Sequence, residues 1–251
     1  MPEQLVIPAR FRGPPNSGNG GYVAGAVADL FADPYAGPDA AIEVTLRAPI
    51  PLDTAMSVQR PDADSVRIVL EEQLIVEAQR TTLCMAVPQA PAFAAASAGR
   101  DASPSFYTGV NPLLPNGTGF HPICVCCGAD VAPDQGLHVY AGPVTGFDGA
   151  AAAWRPHAAF ADTDGNLPAP IIWTALDCPG QFAYMVSGIR TGLLGRMTGR
   201  VLRRVPADQD FVICGWRLEV EGRKHFAGTA LFDQHGELCA LARQTWIGRM
   251  D

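Results

Sequence analysis

The sequence predicts an α+β chain built twice in tandem, each copy a long helix wrapped by an antiparallel sheet. Three observations carry this. First, the turn-forming run Gly13-Pro14-Pro15-Asn16-Ser17-Gly18 gives way at Asn19-Gly20-Gly21 to small and apolar residues, and no breaker follows until Pro34. Second, stretches of period-two alternation succeed one another after this helix, divided only by short turns. Third, the landmarks recur. Gly25-Ala26-Val27-Ala28 matches Gly180-Gln181-Phe182-Ala183 at a spacing of 155 residues, and Pro51-Leu52-Asp53 matches Pro206-Ala207-Asp208 at the same spacing. Residues 74–81 (LIVEAQRT) match 238–245 (LCALARQT) at a spacing of 164. A helix and two strand landmarks in the same order imply a tandem duplication. The division is 1–87 for the first copy, 88–119 for a linker and 120–251 for the second copy.

Composition narrows the function classes. Of the 251 residues, 48% are hydrophobic and 17% charged, enough apolar material for a core and too little charge for a disordered chain. The net charge of −7 comes with no basic block, which sets nucleic-acid binding aside. No apolar run reaches membrane-spanning length, and Met1-Pro2-Glu3-Gln4 lacks a charged-then-apolar signal pattern, so the expected location is cytoplasmic with no membrane partner. Homo-oligomerisation stays open.

In chain order, residues 5–12 read as a short strand broken by Pro8. Residues 21–31 read as the first helix, its small residues Ala24, Gly25 and Ala28 suited to close packing, most simply on a sheet. The first turn of such a helix directs unpaired N–H groups forward, and glycines there let a ligand oxygen approach. Strands follow at 42–51, 56–60, 66–72 and 74–87. Residues 88–115, rich in Ala, Pro, Ser and Gly, read as connection. The second copy gives strands at 136–140 and 150–161 and a helix at 171–187, with Pro179 expected to kink or restart it. Four strands then follow at 196–204, 211–220, 224–232 and 238–246, the last pair joined by Asp233-Gln234-His235-Gly236.

The seven cysteines are odd in number and irregular in spacing, which suits reduced thiols. Cys124-x-x-Cys127 is half of a zinc motif. Cys126 and His121 stand near it, but no second Cys-x-x-Cys follows, while Cys178, Cys214 and Cys239 read as isolated core thiols. The expectation is therefore no metal and no cofactor.

A helix wrapped by an antiparallel sheet and led in by Gly20-Gly21-Tyr22-Val23-Ala24 resembles the hotdog fold. Two copies in one chain resemble the double-hotdog acyl-CoA thioesterases of the thioesterase II family. Leu46-Arg47-Ala48-Pro49-Ile50-Pro51 resembles that family's strand after the first helix. Ala175-Leu176-Asp177 resembles the segment holding its catalytic aspartate. Gln244-Thr245-Trp246-Ile247-Gly248-Arg249 resembles its last strand, where a catalytic glutamine precedes an arginine by five. Cys124-x-x-Cys127-Gly128 followed by Gly136-Leu137 resembles a loop of related single-hotdog thioesterases. The family's third catalytic residue, a threonine or serine after the second helix, has Thr198 as its candidate. Thr198 stands three residues from the matching place, which Gly195 fills, and an odd shift reverses the face of a strand. Single-hotdog relatives begin the helix with His-Gly-Gly and carry a carboxylate on it; here Asn19 replaces the His, and Asp29 falls one position late, about 100° round the helix.

The resemblance implies hydrolysis of an acyl thioester of coenzyme A at one site between the copies. Asp177 would act as base and Gln244 would hold the water, with amides near Gly20 and Gly21 stabilising the oxyanion. Asn19, Gly20, Gly21, Trp173 and Gly180 are the substrate-binding candidates. Trp173 and Phe182 are either an acyl channel or core. Arg196, Arg200 and Arg204 are either contacts to coenzyme A phosphates or a solvated face. At the repeat spacings Asp177 corresponds to Tyr22 and Gln244 to Arg80, so the first copy lacks both groups. Asp177 as a helix cap and Gln244 as an ordinary strand residue remain the bland alternatives. A non-catalytic acyl-thioester-binding protein is the first competing function. A hydratase or dehydratase is the second; it wants a His with a carboxylate, and His121 and His157 lie away from both helix starts.

Overall fold

The computed structural model describes residues 3–109 and 111–248. Arg249, which would complete the last-strand motif, lies outside the described residues. The first half contains β1 (Gln4–Leu5), α1 (Gly20–Ala28), β2 (Ala40–Leu46), β3 (Met56–Asp62), β4 (Ser65–Leu70) and β5 (Gln73–Thr82). A short helix α2 (Phe93–Ala98) lies in the connection. The second half contains β6 (Gly142–Val144), β7 (Phe147–Trp154), α3 (Ala169–Met185), β8 (Leu193–Val201), β9 (Phe211–Glu221), β10 (Lys224–Phe232) and β11 (Leu238–Ile247).

All the strands join one antiparallel sheet in the order β1-β3-β4-β5-β2-β8-β11-β10-β9-β7-β6. The halves therefore meet edge to edge through β2 and β8, as expected for a double hotdog. The register shows the duplication directly. Glu43 pairs with Thr198, with Ile42 opposite Gly199 and Val44 opposite Met197. Glu43 and Thr198 are 155 residues apart, the first repeat spacing, so equivalent residues face each other across a pseudo-twofold axis. Glu43 also pairs with Gln79 and Thr198 with Arg243; these two partners are 164 apart, the second spacing.

Helix α3 is the centre of the core. All its residues from Ile171 to Tyr184 are buried, and it is one continuous helix across Pro179, so it does not restart there. Pro179 removes one helix donor; packing on all sides holds the helix across it. Helix α1 packs on α3 and not primarily on the sheet. A Cβ on Gly21 would lie 2.5 Å from Trp173 O, and one on Gly25 would lie 2.6 Å from Pro170 Cα. Two glycines one turn apart thus let the helix backbones approach closely, and that approach is what the small residues serve.

Other expectations shift in their details. Residues 5–12 form a two-residue strand and a 3-10 turn at Ala9–Phe11. The strand predicted at 42–51 ends at Leu46, and 136–140 form no strand. The connecting segment has a packing role. Leu83, Met85, Val87 and Ala96 cover the outer face of the second half on Ala151, Cys214, Trp216, Ala230 and Leu241. Among the described residues, no helix is long and apolar enough to cross a membrane.

Candidate active site

The α1–α3 contact brings a carboxylate from one half to the helix start of the other. Asn19 caps α1, its Oδ1 accepting from Tyr22 N at 2.9 Å. Its Nδ2 donates to Asp177 Oδ2 at 2.6 Å, and Gly21 N donates to the same oxygen at 3.1 Å. Asp177 is 3% exposed, and its Oδ1 has no hydrogen-bond partner among the described residues. Burial raises the Asp177 pKa to about 7; a negative Cys124 would add to the rise, while the Gly21 and Asn19 donors oppose it.

Asp177, Asn19 and Gly20 line a cavity of about 460 Å³ between the halves. Leu46, Ala48 and Ile50 form one wall, Leu194, Trp246 and Ile247 another, and Arg47 also lines it. The cavity has the size and mixed lining of a small-molecule site. His121, Gln181 and Cys124 add polar atoms. Gln181 Nε2 donates to Thr191 Oγ1 at 3.1 Å and to Gly192 O at 2.8 Å. Its Oε1 is thus the acceptor for His121 Nε2 at 3.2 Å, which leaves His121 Nδ1 without a proton in the neutral ring. Burial lowers the His121 pKa.

Sequence reasoning missed Gln181 and His121. Gln181 lies four residues after Asp177 on one helix, which is same-face spacing and a usable signal. His121 arrives from a loop without regular structure, and sequence spacing carries no mark of that.

Gln244 does lie beside Asp177, but against its backbone. Its Nε2 donates to Leu176 O at 2.7 Å and Asp177 O at 3.1 Å, and its Oε1 accepts from Trp246 Nε1 at 2.9 Å. The amide is fully buried and does not line the cavity. Gly180 packs directly over that amide and is likewise away from the cavity. Trp173 is core: it lies between α1 and Gly199 and donates to Tyr35 Oη at 2.9 Å. Phe182 is core as well.

Thr198 is on the opposite face of the sheet. Its hydroxyl reaches Glu43 Oε2 at 3.4 Å, outside the core that holds α3. The register shift between Thr245 and Trp246 turns Leu194 inward together with Met197, leaving Arg196 and Thr198 on the outer face. Arg196 pairs there with Glu43 and Arg200 with Asp39, so neither points to the cavity, and Arg204 lies past the end of β8. Gly21 also departs from its expected role, since its N–H is engaged by Asp177. Gly20 N–H, at the first position of α1, has no intrahelical acceptor and belongs to a residue on the cavity wall. Asp29 is the exposed C-cap of α1, and His157 is an N-cap outside the site.

No protein-family profile and no curated protein sequence matches the chain. Solved structures do match it over its full length. One is the tesB protein of Mycobacterium avium subs paratuberculosis, 14% identical, covering 98% of this chain and 91% of its own, at a TM-score of 0.57. A second, provisionally named thioesterase II, is from Thermobifida fusca YX; it is 13% identical, with coverage of 98% and 93% and a TM-score of 0.57. A third, from Alicyclobacillus acidocaldarius, is described only as a conserved protein with a hot dog fold; it is 11% identical, with coverage of 99% and 93% and a TM-score of 0.54. The full-length structural neighbours are thus thioesterase II-like and hotdog-fold proteins, and the chain has the double-hotdog fold.

Proposed function

We propose that this protein hydrolyses an acyl thioester, of the coenzyme A class, in the cavity between its two halves. The observation that supports this most is Asp177, a buried carboxylate from α3 held by the capping Asn19 and the Gly21 amide of α1. One of its oxygens is engaged by these donors and the other has no partner among the described residues. In this reading the free oxygen, itself buried in this structure, meets the attacking water once substrate binding opens the cavity wall beside it, and takes its proton. Gly20 N–H, at the positive end of α1, stabilises the oxyanion that forms on the thioester carbonyl. Asn19 fixes the carboxylate and so positions the base. The apolar walls around Leu46, Ile50 and Leu194 receive the acyl group; Arg47, on the cavity wall, has its guanidinium paired with the Glu77 carboxylate and would have to share it with an anionic coenzyme A tail. The names of the structural neighbours add support of the same kind. Two groups expected from the resemblance take no part: Gln244 props α3, and Thr198 is on the far face.

His121 beside the cavity supports a second reading, hydration of an unsaturated acyl thioester by a His–carboxylate pair. One experiment covers both. The protein is incubated with saturated and 2,3-unsaturated acyl-CoA of several chain lengths, following thiol release and loss of the conjugated double bond. Hydrolysis predicts thiol release, lowered in Asp177→Asn by roughly a hundredfold or more, the scale for a lost general base. Loss of the double bond without thiol release supports hydration. Neither activity across the panel, with a non-hydrolysable acyl-CoA analogue still bound, leaves a binding protein and removes this proposal.

A further inference from the structure

Beside the proposed site lies a cluster that the reaction does not use. Cys124, Cys127 and Cys178 are buried, and their sulfurs all lie within 4.8 Å of one another. Cys124 and Cys178 are 3.8 Å apart. Cys126 is also fully buried, but its sulfur stands outside this 4.8 Å group. The sequence expectation of no metal rested on a missing fourth ligand. Cys178, 54 residues beyond Cys124, was read as an isolated core thiol, and α3 delivers it to the loop.

We infer that Cys124, Cys127 and Cys178 form a buried three-thiolate site for a single zinc-class divalent ion, which fastens the 121–139 loop to α3 and leaves the fourth position to a water from the cavity that Cys124 and Cys178 line. The spacing is the first argument. A tetrahedron of sulfurs about 2.3 Å from zinc has edges of about 3.8 Å, the separation seen for Cys124 and Cys178. That volume suits one ion and leaves no room for a cluster of several irons. Thiolate ligands favour zinc or other soft ions over magnesium or calcium.

The surroundings are the second argument. Gly128 N donates to Cys124 O at 2.8 Å, closing a tight turn round Cys124-x-x-Cys127. Asn19 Nδ2 reaches the Cys124 sulfur at 3.6 Å. Donors aimed at a ligand sulfur are the usual outer partners of a metal–thiolate site. The third argument is mechanical. The loop has neither helix nor strand, and it carries His121 to the cavity wall. A metal binding two distant stretches of chain supplies folding free energy where regular structure is lacking. The remaining cysteines make no such group: Cys84 is exposed, and Cys214 and Cys239 are elsewhere in the core. On binding, each ligand gives its thiol proton to solvent as the divalent ion enters, so no oxidant is required.

The test uses the full chain purified in reducing buffer without added metal. Elemental analysis should find about one zinc per chain, the stoichiometry of a single tetrahedral site. Exchange with cobalt(II) should give the charge-transfer and intense visible bands of tetrahedral thiolate coordination. Cys178→Ser should lower bound zinc at least about tenfold, the minimum expected when loss of even an outer partner has that effect. Cys126→Ser should leave the cobalt bands in place, since its sulfur stands outside the group. If a variant fails to fold, zinc content and the cobalt spectrum of the unaltered protein decide the matter. Unaltered protein that holds no metal and takes up no cobalt would overturn the inference. So would a Cys124–Cys178 disulfide found by mass spectrometry of freshly alkylated protein. An unchanged cobalt spectrum in Cys178→Ser would overturn the three-sulfur site.

Discussion

Replacing Gln244 by leucine separates a structural from a catalytic role for the glutamine. The volume changes little, so the cost comes from hydrogen bonds and not from a cavity. Leu176 O and Asp177 O keep their helical donors four residues on, and neither is orphaned. Losing the two amide donations costs about 0.5–1.5 kcal/mol each. The Trp246 Nε1–H then loses its acceptor in a residue only 4% exposed, which costs about 1–3 kcal/mol. Non-additivity trims the sum, so a loss of roughly 2–4 kcal/mol is expected. For a chain of this length that lowers Tm by roughly 5–15 °C. Urea unfolding followed by far-UV circular dichroism measures the free energy; thiol release measures turnover of the folded fraction. Turnover should stay within about tenfold of wild type, since the amide does not face the cavity. Adding Trp246→Phe to Gln244→Leu removes the orphaned donor, so the double variant should lose less than the sum of the singles by about 1 kcal/mol. A stability change below about 1 kcal/mol with turnover down more than about a hundredfold would refute this reasoning and return Gln244 to the chemistry.

Gly25→Ala should lower stability, although Ala is the better helix former by about 1 kcal/mol: its Cβ would lie 2.6 Å from Pro170 Cα and 2.8 Å from Trp173 Cβ, and calorimetry showing a raised Tm would mean that α1 and α3 separate freely. Thr198→Val should leave thiol release within about twofold of wild type, because its hydroxyl meets only Glu43 on the outer face; a loss of about a hundredfold would put that face in the reaction. Tyr35 has its pKa pushed up to about 12 from 10.0, chiefly by burial, and the fold therefore favours its neutral form. The unfolded chain loses this proton first, so stability is intact below pH 10 and falls as pH rises toward 12, by up to about 1.4 kcal/mol per unit. Tyr35→Phe should remove that part of the slope in alkaline urea titrations, and an unchanged slope would show that Tyr35 does not cause it.

The fold was legible because duplication writes each landmark twice. The spacing of 155 that matched Gly25 to Gly180 is the spacing that pairs Glu43 with Thr198 across β2 and β8. What sequence could not supply was the side of the sheet on which a residue ends. Alternation along β8 breaks where the register shifts near Gly195, so counting from either end misplaces the faces. Asp177 was identified through a short resemblance and does lie at the junction. Gln244 was placed near it but with the wrong atoms in contact, since spacing carries no information on whether an amide faces a cavity or a helix carbonyl. His121 was read as lying away from the helix starts and Cys178 as isolated for a single reason: each meets its neighbours only after a loop without periodicity folds back.

The pseudo-twofold axis explains why a duplicated chain would hold one site and not two. The position equivalent to Asp177 is Tyr22, whose ring stacks on Phe11 at 3.7 Å. The position equivalent to Gln244 is Arg80, whose guanidinium instead reaches Asp64 and the carbonyls of Ala32 and Asp33. The carboxylate of the second half needs the helix start of the first: Asn19 and Gly21 supply both donors to Asp177 Oδ2. The first half in turn has no carboxylate to offer the start of α3, where Pro168 stands as the cap without a side-chain hydrogen bond. One half has kept the acceptor and the other the donors, so neither copy alone contains the arrangement, and the edge-to-edge joining of β2 to β8 is what assembles it.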